Sequence, residues 1–198
     1  MTEEERKRLK IYCFQRQVAA SQTFGPELIE KIKTAFSVSA YPGDENLIAT
    51  PQHLAECWEC REYYEYFVGK TWQQCVDEGA YGKLTGGQSF FLPFAWHYYL
   101  PAYLIECVNN GYFSSFHFQP PRETDLADEE FMKFWDEWQQ KRIDLLSPEQ
   151  CLVIIEYLKI SLAVWEGIER GYEDDTKALH FWKENYRKAL AREKNQSQ

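Results

Sequence analysis

The sequence predicts an all-α fold, a single-domain irregular helical bundle around a kinked, aromatic-rich central helix. Three observations carry this. Apolar residues recur at spacings of three and four through almost every segment, the period of one helix face. Residues 89–108 place seven aromatics and two prolines in twenty positions, with His97 and Glu106 the only ionisable side chains apart from tyrosines and Cys107. Turn and cap signals separate the periodic runs. The run 89–108 is long enough to consider as a membrane span, but its His, its hydroxyl-bearing side chains and Pro101 argue for a buried helix bent at the proline.

Taken in order, residues 2–21 form a charged helix with a weak apolar stripe of Leu9, Tyr12, Cys13 and Val18. Phe24-Gly25-Pro26 reads as a turn, with Pro26 opening a second helix through Leu28, Ile29, Ile32, Ala35 and Phe36. Pro42-Gly43-Asp44 is a strong turn signal. Thr50-Pro51 starts a helix expected to run to Val68 and stop at Gly69. One more turn over residues 72–76 precedes a glycine-rich loop through Gly82, Gly86 and Gly87.

Pro93 then opens the aromatic helix, which Asn109-Asn110-Gly111 ends. Pro120-Pro121 keeps residues 112–124 irregular. Helical periodicity returns at Asp125, where Phe131, Phe134, Trp135 and Trp138 make an aromatic stripe. Ser147-Pro148-Glu149-Gln150 caps a broadly apolar helix reaching Trp165. A last helix begins at Asp174 or Asp175 and carries Leu179, Trp182, Tyr186 and Leu190 on one side. The expected organisation is an N-terminal helical arm over residues 1–24, an all-helical domain over 25–194 and a disordered tail over 195–198.

Charge is unevenly spread along the chain. The net charge is −9, yet residues 34–175 alone balance to −15, against +2 before them and +4 after. An acidic middle repels phosphates and anionic lipid, so neither nucleic acid nor membrane is an expected partner, whereas a basic protein is attracted. No apolar stretch follows the charged opening MTEEERKRLK, and several of the cysteines fall within apolar helical patterns. Free thiols in a reducing cytoplasm are therefore expected.

No catalytic motif fixes a reaction. GxSxG, HExxH, GxGxxG and a phosphate-binding GxxxxGK[ST] are all missing from the sequence. Cys57-Trp58-Glu59-Cys60 has redox spacing, but it falls mid-helix among Glu56, Glu59 and Glu62, which oppose a thiolate. Adding His53 gives HxxxCxxC. On a straight helix its ends lie about 10 Å apart along the axis, so one zinc ion could take only two of the three, with others such as His97 or Cys107 arriving from elsewhere. The cluster is read as packing, and neither a metal nor a cofactor is expected.

Two constellations remain. Glu123, Asp125, Asp128, Glu129, Glu130, Asp136 and Glu137 surround the ring stripe that includes Trp135 and Trp138, a pattern suited to a basic protein partner. Tyr41, Asp44 and Glu45 of the YPGDEN turn could form a pocket with His97, Tyr98 and Tyr99, His97 being a candidate general base.

AYPGDENLI at residues 40–48, GKTW at 69–72, FLPFAWHYYLPAYL at 91–104 and LLSPEQCLVIIEYL at 145–158 together resemble an uncharacterised bacterial domain-of-unknown-function family. The resemblance spans roughly residues 27–165 and implies no activity. Small helical proteins of this kind are similar to immunity or accessory proteins encoded beside toxins. The expected function is a cytoplasmic acidic protein-binding protein, an immunity-like inhibitor of a basic partner such as a bacterial toxin. The alternative is an enzyme of unknown reaction with its pocket near His97 and the YPGDEN loop. A third is oligomerisation through the first helix.

Overall fold

The structure is a computed structural model that describes residues 2–48, 51–120, 129–166 and 169–196, and within them all side chains except those of 51, 116, 129–135 and 169–174. Nine α-helices and no strand occur among the described residues, so the fold is all-α. No helix among them is long and apolar enough to cross a membrane. The chain divides into two compact units. Unit 1 comprises residues 1–35, 107–120 and 148–198; unit 2 comprises 36–106 and 121–147.

Unit 1 is built from α1 (Glu3–Ala35), α8 (Pro148–Trp165) and α9 (Glu169–Gln196). Helix α8 is apolar on most sides, so it packs against both α1 and α9. The irregular residues 112–120 need partners for their backbone, because peptide groups removed from water must stay hydrogen-bonded. Large side chains supply them: Trp182 donates to the Phe118 carbonyl at 2.9 Å and Trp165 to the Phe113 carbonyl at 3.0 Å. The Tyr157 hydroxyl accepts the Ser114 amide at 3.0 Å. Arg16 reaches the Ala163 and Glu166 carbonyls, placing a cation at the C-terminal end of α8, where the helix dipole favours it.

Two expectations in this unit change. Helix α1 runs through Phe24-Gly25-Pro26 where a turn was expected. Gly25 is buried there, and a Cβ on it would lie 2.9 Å from Val108, so close packing uses the glycine. Pro26 removes one ladder N–H, which the surrounding helix tolerates. Helix α9 begins at Glu169, ahead of the expected start at Asp174 or Asp175.

Unit 2 contains α2 (Pro51–Glu56), α3 (Trp58–Phe67), α4 (Trp72–Asp77), α5 (Tyr81–Phe90), the first part of α6 (Pro93–Asn109) and α7 (Glu129–Asp144). Its centre is a trio of buried rings. Phe67, Phe91 and Tyr99 lie with centroids 4.8–5.1 Å apart, two edge or tilted pairs and one stack. Offset and edge geometries of this kind complement the ring quadrupoles.

Helix α6 contains Pro101 without interruption and ends where expected. Gly111 takes φ +68°, while the Tyr112 amide bonds the Cys107 carbonyl at 2.8 Å and the Gly111 amide bonds Val108 at 3.1 Å, a Schellman closure.

The expected loop through Gly82, Gly86 and Gly87 is instead helix α5. Its glycines make room for rings: a Cβ on Gly86 would collide with the Tyr63 hydroxyl, and one on Gly87 would sit 2.7 Å from Phe91 and 3.2 Å from Phe67. Close approach of aromatics outweighs the poor helix propensity of glycine. The single helix expected over residues 50–68 is likewise two, broken at Cys57.

Candidate functional site

The break at Cys57 creates a constellation that the linear pattern hides. Cys57 has extended backbone angles, φ −104° and ψ 109°, and serves as the N-cap of α3. A hydroxyl or carboxylate usually fills that position; here the thiol sulfur accepts the Cys60 amide at 3.4 Å. The chain also turns on Arg61, whose guanidinium bonds the Leu54 and Ala55 carbonyls at 3.1 and 2.8 Å and so ties α3 back to α2.

As a result the imidazole of His53 and the sulfurs of Cys57 and Cys60 lie within 4.8 Å of one another. The reading of Cys57 and Cys60 as mid-helix residues is thereby corrected. Backbone hydrogen bonding from Cys60 holds the Cys57 thiol below its ordinary pKa, while burial pushes Cys60 up to about 11. The two thiols therefore differ in kind, one poised to ionise and one resisting it. Beside them Trp58 is 69% exposed at the first position of α3, and Glu59, Glu62 and Glu65 are exposed on the same helix. Glu62 and Glu65 follow Trp58 by four and seven residues, which puts all three on one face.

Of the pocket proposed from sequence, the structure joins four members. The Tyr41 hydroxyl donates to Asp44 at 2.6 Å and accepts the Gly69 amide at 2.8 Å, and its ring meets Tyr98 edge-on at 5.5 Å. Burial and the Asp44 carboxylate push Tyr41 up to about 12. Tyr98 in turn contacts Tyr99 at 5.0 Å. Tyr99 is fully buried, its hydroxyl within reach of the Lys70 carbonyl at 2.7 Å and the Phe67 carbonyl at 3.0 Å. Burial raises its pKa far above the ordinary tyrosine value. These hydroxyls are engaged in holding turns together. His97 is half-buried with its ring 5.9 Å from Phe36, and Glu45 is exposed, accepting from Asn46 at 3.1 Å.

Of the acidic stripe, Glu123, Asp125 and Asp128 lie outside the described residues, as do the side chains of Glu129, Glu130 and Trp135, whose positions fall on α7. Glu137 is exposed. Asp136 is half-buried, with one oxygen lacking a partner. Trp138 is half-buried and faces Arg142, whose guanidinium sits 3.9 Å from its ring centroid. Arg142 is itself buried and donates to the Phe91 carbonyl at 2.5 Å. Burial pushes its pKa down to about 9. This part of the stripe therefore holds α7 to the ring trio.

Unit 1 contains a groove of about 280 Å³ with Phe24, Leu28 and Ile160 as its apolar lining. Lys31 at its edge is paired with Glu27 and Glu156, both at 2.9 Å.

Comparisons with protein-family models, curated proteins and solved structures find no match to this chain.

Proposed function

We propose that this chain acts by binding, its acidic unit capturing a basic protein in the manner of an immunity-like inhibitor set against a toxin. The observation that carries the reading is how charge divides between the units. Unit 2 holds 17 acidic and seven basic residues, a balance of −10; unit 1 holds 14 and 15, a balance of +1. The excess of negative charge thus falls within one of the two units. A field of one sign steers an oppositely charged partner and raises its encounter rate.

Trp58 supplies an anchor for such a partner. An indole left mostly in water costs hydrophobic free energy that association recovers, and aromatics of this size dominate binding energies at interfaces. Carboxylates at Glu59, Glu62 and Glu65 would form the charged rim. Six free thiols accord with a partner met in the reducing cytoplasm. The pocket around His97 is less well supported, because the Tyr41 and Tyr99 hydroxyls already serve Asp44, Gly69, Lys70 and Phe67.

Affinity capture from the native host tests the reading. A basic protein should be retained in stoichiometric amount at low salt and released as salt is raised. Retention of an acidic protein, or of no protein, would count against it.

A further inference from the structure

We propose that His53, Cys57 and Cys60 form a three-coordinate protein site for a thiophilic divalent cation of the Zn²⁺ class, open to solvent at its fourth position. The argument does not depend on the partner reading.

Geometry comes first. In a straight helix the first and last of these residues would be about 10 Å apart along the axis. The extended backbone at Cys57 ends α2 and restarts the helix, and the three donor atoms converge within 4.8 Å. Metal–donor bonds of about 2.0–2.3 Å in a tetrahedron require donor separations of about 3.5–3.8 Å. The remaining difference is of the size that a change of side-chain rotamer makes.

Chemistry narrows the ion. Two sulfurs and an imidazole nitrogen favour Zn²⁺ and its soft analogues over Mg²⁺ or Ca²⁺, which take oxygen. The amide hydrogen bond to the Cys57 sulfur is the kind of outer contact that orients a thiolate ligand. Glu56 and Glu59, exposed on either side of Cys57, disfavour a bare thiolate but favour a bound cation. The same carboxylates that argue against redox chemistry thus argue for a metal. On binding, each cysteine gives up its thiol proton to solvent and the neutral imidazole donates its lone pair.

Burial fixes the style of site. Cys60 is buried, Cys57 half-buried and His53 exposed, so the ion would be held at the surface with one face toward water. Three protein ligands with an exchangeable fourth mark an accessible site, unlike the closed four-ligand sites that staple folds. Bound there, the ion would clamp α2 to the start of α3, adding to the Arg61 contacts.

Cobalt titration of the reduced full-length chain under anaerobic conditions is the test. The expected result is one equivalent of Co²⁺ bound, with thiolate-to-cobalt charge-transfer absorption and the strong visible bands of a four-coordinate ion, displaced by Zn²⁺. Cys57→Ser/Cys60→Ser should lose that absorption. Serine is itself a good N-cap, so the double variant keeps α3 capped, and unchanged far-ultraviolet circular dichroism would verify its fold. His53→Ala should retain charge transfer, with weaker binding and shifted visible bands. Cys13→Ser, on α1, should bind as the wild type does. Absence of charge-transfer absorption in the reduced wild type, or its persistence in the double variant, would overturn the proposal. So would a reduced chain that binds no ion and yields only a Cys57–Cys60 disulfide on exposure to air.

Discussion

The Cys57 sulfur accepts the backbone amide proton of Cys60 at 3.4 Å, so one cysteine caps the helix that carries the other. That contact separates the two thiols chemically and turns the chain so that His53 joins them. It also gives the first testable consequence. Cys57 is held below the ordinary thiol value, whereas burial raises Cys60 to about 11 and both Cys75 and Cys151 to about 12. The thiolate is the species that alkylates. In the metal-free chain, Cys57 should react with iodoacetamide before these three, as read by peptide mass spectrometry across pH. Equal rates at Cys57 and Cys60 would remove the asymmetry.

Tyr99 ties its helix to the turn after α3 through the Lys70 and Phe67 carbonyls. Tyr99→Phe keeps the ring stack on Phe91 and removes the hydroxyl donor from the part-buried Lys70 carbonyl, while the Phe67 carbonyl keeps the Lys70 amide at 3.1 Å. A loss of about 1–3 kcal/mol is expected in urea unfolding. An unchanged midpoint would show that the hydroxyl does not hold the turn.

Two glycines of one helix should respond in opposite directions. Gly82 has open space around its missing Cβ, so Gly82→Ala should stabilise by about 0.5–1 kcal/mol through helix propensity. At Gly87 a Cβ would press on Phe91 and Phe67, both fully buried and unable to yield. Gly87→Ala should therefore destabilise by about 1–3 kcal/mol, overpacking outweighing propensity. Thermal unfolding of the pair reads the sign of each directly.

Lys70 donates to Glu78 at 2.8 Å, as does the Tyr66 hydroxyl, and together they hold the Glu78 carboxyl below its ordinary pKa. A depressed folded-state pKa means the contribution is complete above about pH 4.3, the unfolded carboxyl value, and is lost as pH falls through the folded one. Glu78→Gln should lower stability near neutral pH, with the difference shrinking in acid. A difference that persists unchanged at low pH would show the effect is not ionic.

Much of the fold was readable from residues alone, for identifiable reasons. Helices α6 and α8 are apolar around most of their circumference, and their ends carry Pro93, Gly111 and Pro148, whose backbone preferences act locally. What escaped is set by packing. Pro26 and Gly25 look like a turn until Val108 is seen against Gly25. Gly86 and Gly87 look like a loop until Tyr63, Phe67 and Phe91 are placed over them. The break at Cys57 has no proline or glycine to announce it, and a sulfur stands where a cap is usually sought as oxygen. Assuming a straight helix there also hid the histidine–cysteine cluster. The legible hint was HxxxCxxC itself.

Association kinetics with the captured basic partner test the central claim most directly, comparing the wild type with Trp58→Ala and with Glu59→Lys/Glu62→Lys/Glu65→Lys across ionic strength. The account predicts that charge reversal slows association at least about tenfold at low salt, with the difference vanishing at high salt. Trp58→Ala should act on dissociation instead, weakening binding by about 2 kcal/mol or more. Rates unaffected by reversing these carboxylates, with the same salt dependence in both proteins, would contradict it.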